Sequence, residues 1–501
     1  MKELKVTGLE RLLSSLLLLL ALLSIFIVSF IFISRIAYPY SVERMEGASL
    51  LQVIRILSGH PLYTQPSIDY IPLIYPPLYF YLSALAAKIM GIGFMPLRLV
   101  SILAFIGCLL FTYRIIKSVT NNDYASLIGI SFFAATYPLN GAWFDIARVD
   151  TLFVFFSIAA IYFSSKENLK GLILSSAFWI LAIFTKQTGI FVLTASLVYL
   201  LLKNWKKNFI QLAITLLGGT LVYALCVQVW GKWFSYFMFY LPTLHKTQSS
   251  FADISTSIFQ LVLPPIIAIL IGISPFLFDR DWRSSQNPIH YYVFITCVMF
   301  VLSLMGRLNL GGYTNVYMPA HIMTAVMFGL GLDWWTKKLA PSPRLFSSLS
   351  KLVLFTFCAA QFLILQFDPR LVIPNSSQAQ SWTQFVSFIR STQGDVLAPD
   401  LNYLIEFAGK NPFANEVALE EIYGEFGDPE LVQREVVRKE ISRGLQDQRF
   451  HYIFLKKKSG TWNQVTDYYQ CFPISKIVDS TNLPPVVAKD FMVCFPGATH
   501  N

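Results

Sequence analysis

The feature that most constrains this chain is the stretch from Leu12 to Ile33, apolar but for four serines and without one charged side chain. A hydrocarbon core about 30 Å thick is crossed by roughly 20 apolar helical residues. Lys2, Lys5 and Arg11 precede the stretch, as in a secretory signal. It is too long for one, and no small-residue cleavage site follows, so it reads as an uncleaved transmembrane helix. Comparable runs follow at 97–116, 123–140, 149–164, 169–185, 188–203, 208–230, 258–278, 289–306, 315–335 and 350–367, giving about eleven spans. Of the 501 residues, 55% are hydrophobic and 14% charged, against about a quarter charged in a soluble domain. The expected class is a polytopic α-helical membrane protein.

A net charge of +10 would point to anionic partners in a soluble chain. Here the basic residues crowd alternate loops, as cytoplasmic loops do, and no nucleic-acid partner is expected. Lys117, Lys166, Lys170, Lys203, Lys206, Lys207, Arg280, Arg283, Lys337, Lys338 and Arg344 all fall on the side of the N-terminus. The reading is a plasma-membrane protein with a cytoplasmic N-terminus. Residues 171–202 as one helix would measure about 48 Å at 1.5 Å per residue, too long for one crossing. A hairpin turning at "TKQTG" keeps the charge alternation and puts Lys186 on the outer face.

The domains expected are 1–367, a transmembrane unit with a first outer loop at 35–96, and 368–501, a small extracytoplasmic α/β unit. The second holds 16 acidic and 13 basic residues, against 13 and 26 in the first. "DVLAP" and "YIFLK" are strand-like, and 400–408 and 429–446 helix-like. Residues 76–91 are apolar but too short to span, and suit an interfacial or re-entrant helix. The six cysteines form no CxxC and no Cys/His cluster. Cys471 and Cys494 would lie in an oxidising compartment, where pairing is open to them.

Several outer segments carry chemistry. "SVERMEG" offers Ser41 as N-cap, with Glu43 and Glu46 on one face of a helix ended by Gly59. The pair serves a general base or a metal, or merely favours the helix dipole. "FDIARVD" supplies Asp145, Arg148 and Asp150. Arg148 suits phosphate, or pairs with Asp145 at i,i+3. Lys186 and Gln187 lie in "TKQTG", and a lysine between apolar helices is functional or snorkelling. "GRLNLGGYTN" offers Arg307, Asn309 and Asn315 around Gly311 and Gly312, for an anion or as a tight turn. Asp69 and Tyr75, the latter in "YPPLY", complete the first loop. His60, His245 and His321 are isolated, with no metal spacing between them.

Taken together, these stretches resemble the GT-C superfamily, membrane glycosyltransferases that use polyprenyl-phosphate sugars. The resemblance is to the bacterial branch grouped with protein mannosyltransferases and lipopolysaccharide core transferases, and covers roughly 12–335. It is carried by "ERMEGASLLQVIRILSGHPLY", "YPPLYFYLSAL", "FDIARVDTLFVFF", "AIFTKQTGIFVL" and "GRLNLGGYTNVYMP". It implies inverting transfer of a hexose or pentose from a polyprenyl-phosphate donor to a glycan, lipid or protein acceptor. Glu43 and Glu46 take the catalytic places, Glu43 standing where Asp is common. Arg148, Lys186 and Arg307 bind donor phosphate. Asp69, Tyr75, Asp145, Asp150, Gln187, Asn309 and Asn315 contact substrate. No cofactor is named, and a divalent cation is left open. The competing class is a transporter or flippase of glycoconjugates. That class would place its site at the midplane between repeats, whereas here the ionisable groups share one face and no repeat is visible.

Overall fold

The computed structural model describes residues 2–166, 168–248, 250–284, 287–340, 344–422, 432–457, 462–476 and 483–497. In chain order the first helices are α1 (Lys2–Ile36), α2 (Arg44–Leu57), α3 (Leu78–Met90), α4 (Phe94–Thr120), α5 (Asp123–Ala135), α6 (Asp150–Ser164), α7 (Leu169–Ile183), α8 (Gly189–Lys203) and α9 (Trp205–Trp230). Helices Phe251–Val262, Ile266–Phe278, Pro288–Leu308, Met318–Leu339 and Arg344–Ile364 complete the bundle. Large apolar side chains such as Phe26, Ile33, Leu217 and Val229 stay exposed on α1 and α9, where lipid rather than water is their natural solvent. The protein is a multi-pass membrane protein.

Each of the eleven expected segments is helical, but length separates them. Five helices are long and apolar enough to cross a bilayer, or six if Phe251–Val262 and Ile266–Phe278 form one bent span. That pair replaces the straight span expected at 258–278. It is bent by 82° at Pro264 and Pro265, because proline removes a helical hydrogen bond and clashes with the preceding turn. Helices α5 to α8 have 13 or 15 residues, about 20–23 Å at 1.5 Å per residue.

The reversal at "TKQTG" is present. At one end of α6, Asp150 meets Lys186 in the turn between α7 and α8. At the other, Gln211 of α9 donates to Ser175 of α7, which in turn bonds Ser164 at the end of α6. Chain direction therefore inverts between α7 and α8, and again between α8 and α9. The far end of α9 returns to the first loop, where Trp230 packs edge-on against Tyr63 at 5.2 Å. The apolar segment 76–91 forms the short helix α3.

The C-terminal region forms a four-stranded sheet. Its strands are β1 (Asp395–Leu397), β2 (Phe450–Lys456), β3 (Tyr469–Pro473) and β4 (Phe491–Pro496), in the order β1-β2-β4-β3. β1 and β2 are parallel, and the other pairs antiparallel. "DVLAP" and "YIFLK" are thus strands. Cys471 faces Cys494 across β3 and β4, and the two form a disulfide. Helices Ser376–Ser391 and Val432–Gln446 accompany the sheet. The expected start of the latter, 429–431, lies outside the described residues.

This region docks on α2. The Ser41 hydroxyl bonds the Tyr403 hydroxyl at 2.9 Å. The guanidinium of Arg44 forks onto Glu420 at 2.8 and 2.9 Å. A Cβ on Gly47 would lie 2.5 Å from the Tyr403 ring, so only glycine permits this approach.

Candidate active site

Glu43, and not Ser41, caps α2. Its carboxylate accepts the Met45 N–H at 2.9 Å, while Ser41 is drawn off by Tyr403. Three residues on, Glu46 is fully buried and meets the equally buried Arg98 of α4. Arg98 Nε and Nη2 donate to its two oxygens at 2.8 and 2.7 Å. The remaining N–H groups of Arg98 reach the carbonyls of Arg35, Tyr38 and Tyr40, so all five donors of the guanidinium are used. Glu46 also accepts the Val42 and Ala147 N–H groups. Burial alone would raise its pKa, but Arg98 and these donors hold it below the usual carboxylate range. Glu46 is a rivet between α2, α4 and the 142–149 loop.

That rivet sets Glu43 opposite Arg148. Arg148 Nη1 lies 3.1 Å from Glu43 Oε2, and Nε 3.0 Å from Asp150 Oδ2. Asp150 opens α6, where a carboxylate favours the helix N-terminus. Its second oxygen takes Lys186 Nζ at 2.7 Å. Trp143 covers the Arg148 guanidinium, 4.7 Å from ring centroid to Cζ. Glu43 Oε1 accepts no hydrogen bond among the described residues. The result is a chain of alternating charge, Glu43–Arg148–Asp150–Lys186, drawn from three separate segments.

A cavity of about 590 Å³ opens onto this chain. Arg148, Asp150 and Lys186 line it, with Tyr75, Gln187 and Asn315. Gln187 Nε2 donates to the Ile74 carbonyl at 2.9 Å, and the Leu78 N–H to the Phe184 carbonyl at 3.0 Å, locking "YPPLY" to the turn that carries Lys186. Burial raises the Tyr75 phenol well above its ordinary pKa, so it stays a hydrogen-bond donor. The opposite wall is a two-segment ladder in which Thr247 bridges Asn309. A Cβ on Gly312 would come within 2.0 Å of the Gly306 carbonyl, which fixes that position as glycine.

Some expected residues are elsewhere. Asp145 does not pair with Arg148. It is buried beside Arg35 at 3.4 Å and accepts from Tyr137 at 2.8 Å, because the tight turn from Ile146 to Arg148 sends the two side chains apart. Asp69 pairs with Arg449 on a different groove. Arg307 donates to the Gly312 carbonyl of its own loop at 2.9 Å and does not line the cavity. Glu46 does not line it either. Asn309 and Asn315 do.

Two wall residues were not among the expected site residues: Glu421, and His245, which the sequence leaves isolated but the fold pairs with it. His245 Nε2 lies 2.5 Å from Glu421 Oε2, and both face the cavity. Burial opposes protonation of His245, but the Glu421 carboxylate outweighs it and raises the imidazole pKa. Glu421 follows Glu420, the partner of Arg44, so the C-terminal region contributes one carboxylate to the cavity and another to its frame. No group of three or more His, Cys, Asp or Glu among the described residues is placed to hold a metal. Asp150 and Glu43 are already matched to cations and do not fit one.

The comparisons agree with this architecture. A family model described as dolichyl-phosphate-mannose-protein mannosyltransferase matches residues 75–233. The structure of ArnT from Cupriavidus metallidurans bound to undecaprenyl phosphate superposes with a TM-score of 0.62 at 14% identity, over 95% of this chain and 98% of that one. The apo form of ArnT gives 0.62 at 13% identity, over 94% and 97%. An oligosaccharyltransferase from Archaeoglobus fulgidus, in complex with zinc and sulfate, gives 0.53 at 12%, over 87% and 68%. No curated protein matches by sequence. The fold is the one seen in ArnT and the archaeal oligosaccharyltransferase. The resemblance read from the sequence stretches is thus borne out, and the family matched and the structural neighbours are glycosyltransferases.

Proposed function

We propose that this protein transfers a sugar from a polyprenyl-phosphate donor to an acceptor hydroxyl at the outer face of the plasma membrane, with inversion. The observation that carries the reading is one cavity lined by Arg148, Lys186 and Asp150 beside the capping carboxylate Glu43. Arg148 and Lys186 bind the donor phosphate, as befits a fold shared with an ArnT that holds undecaprenyl phosphate. The acceptor O–H gives its proton to Glu43 as its oxygen bonds to the anomeric carbon. The bond from that carbon to the phosphate oxygen breaks, and the electron pair leaves with the polyprenyl phosphate, stabilised by the two cations. Phosphate competes with Glu43 for Arg148, so donor binding frees the base at the moment it is needed. Asp150, clamped by both cations, stays an anion that orients them.

Glu46 acts through Arg98 as a positioning residue. Tyr75, Gln187, Asn309 and Asn315 are placed to meet sugar or phosphate oxygens. A site at one end of the bundle supports transfer over transport, since a transporter needs a central cavity. The Cys471–Cys494 disulfide supports an extracytoplasmic C-terminal region, which with eleven crossings puts the N-terminus in the cytoplasm.

One observation favours a second assignment of the base. Glu421 lines the cavity directly, whereas Glu43 reaches it through Arg148. The test is sugar transfer in proteoliposomes by Glu43→Gln and Glu421→Gln, with donor binding measured beside it. Loss in Glu43→Gln alone supports the first assignment, and loss in Glu421→Gln alone the second. Accumulation of a polyprenyl-phosphate sugar in cells lacking the protein, read by mass spectrometry, tests the reaction itself.

A further inference from the structure

Only one end of α2 serves the site. Along its other half, a second cavity of about 460 Å³ opens between α2, the first loop and the C-terminal region. Its walls are braced by their own bonds. Gln52 Oε1 accepts from the Tyr70 hydroxyl at 2.5 Å. Asn402 accepts from Asn415 at 2.8 Å and donates to the Phe413 carbonyl at 3.2 Å. Arg55 lies over the Tyr70 ring, 3.7 Å from its centroid, and its Nε donates to the Pro61 carbonyl at 2.7 Å.

Groups remain that face the space without a partner. The Glu406 carboxylate has no hydrogen bond or ion pair among the described residues, and burial raises its pKa. The two terminal nitrogens of Arg55 are likewise unused. His60, Thr64 and Asn411 add donors and acceptors. Glu406 and Asp69 on the wall repel an anion, and Arg55 repels a cation. Side-chain amides, hydroxyls and both charge signs match a neutral polyol, whose hydroxyls donate and accept at once.

The two cavities sit at opposite ends of one rigid helix. From Glu43 to Ser58 the chain rises about 22 Å at 1.5 Å per residue, a span that a chain of several sugar units bridges. We propose that this groove binds the distal sugars of an oligosaccharide acceptor, whose reacting hydroxyl reaches the cavity beside Glu43. This names the acceptor as a glycan, and it rests on the glycosyltransfer reading above.

The test uses the full chain in proteoliposomes, with the polyprenyl-phosphate sugar fraction and the glycolipid fraction of cells lacking the protein as donor and acceptor. Glu406→Gln, Arg55→Ala and Asn411→Ala are compared with the unaltered chain. Expected is a rise in acceptor KM of about 10-fold for the two charged positions and less for Asn411, with kcat at saturation and donor hydrolysis by water unchanged. In a second arm, saturation-transfer NMR on the solubilised chain reads contact with maltotetraose, cellotetraose and mannotetraose. At least one should show contact that Glu406→Gln abolishes. Transfer by the unaltered chain with acceptor KM unchanged in all three variants overturns the groove while leaving the reaction standing. So does equal use of an acceptor trimmed by glycosidases to its reacting end, or transfer to protein. Absence of transfer by the unaltered chain overturns the reaction, and the NMR arm then decides the groove, which falls if no tetrasaccharide makes contact.

Discussion

Two carboxylate–arginine pairs, three residues apart on one helix turn, meet opposite fates. Glu46 and Arg98 are sealed from solvent, and every N–H of the guanidinium and both carboxylate oxygens are engaged. Arg148 lines a cavity with Glu43 behind it, and one oxygen of Glu43 has no partner among the described residues. The chemistry of the two pairs is the same. What differs is saturation among the described residues: a fully satisfied pair can only hold, while an incompletely satisfied one can exchange partners. Buried ion pairs are weak evidence for stability as such, but breaking one is costly.

The largest expected effect breaks the sealed side. Arg98→Ala leaves the Glu46 charge and three backbone carbonyls stranded, at a cost of about 3–5 kcal/mol. The expected outcome is loss of the folded protein from membranes, read by fluorescence size-exclusion after solubilisation. A stable, active variant would erase the contrast.

On the open side, Glu43→Gln should keep the fold, since an amide still caps α2. Loss of a positioned base typically costs about 10²–10⁴-fold in rate. Transfer should fall by that factor with Tm and donor binding retained. Glu46→Gln should instead lower Tm before it lowers the rate per folded molecule.

Lys186→Ala sharpens the open side further. A charge-assisted bond to phosphate is worth roughly 1.5–3 kcal/mol, so donor affinity should drop about 10–150-fold while the fold persists. Unchanged donor Kd in both Lys186→Ala and Arg148→Ala would move the phosphate elsewhere.

The mildest effect concerns Glu416, a buried carboxyl under the Arg44 clamp. Burial, then the nearby Asp400 charge, pushes its pKa up to about 7, against the bond from Trp462 Nε1. A folded-state pKa above the unfolded one means the folded form binds this proton more tightly. Stability is therefore fullest below the unfolded value of about 4.3 and declines as pH rises to about 7. Glu416→Gln should flatten Tm against pH between about 4.5 and 7. A slope unchanged by the substitution would assign the dependence to another group.

How far the sequence discloses this follows from the range of each contact. The apolar runs, the turn at Lys186 and the strands near 395 and 453 are local patterns, legible because hydrophobic period and loop charge are local. The convergence of Arg148, Asp150 and Lys186 was legible through their shared face. The partner of Glu46 was not. Arg98 sits at the start of an apolar run with no periodic signal, and its role exists only once carbonyls from 35 to 40 wrap it. The same holds for Asp145, claimed by Arg35 across 110 residues, and for Ser41, taken from its expected cap by Tyr403. Glu421 was invisible for a related reason. Nothing in the acidic "ALEEIYGE" says which glutamate turns toward the membrane part and which toward α2.

The contact of Gly47 with Tyr403 also sets a clock. The two sides of the Ser41–Tyr403 bond lie 362 residues apart in sequence. A ribosome adding about 5–20 residues per second needs roughly 20–70 s to cover that interval. Throughout it, the helix carrying Glu43 exists without the ring that seats it. The nascent membrane part is therefore born unfinished. The seating of α2 on the C-terminal region is completed only when almost the whole chain has been made, long after the residues of the Glu46–Arg98 pair that sets Glu43 opposite Arg148.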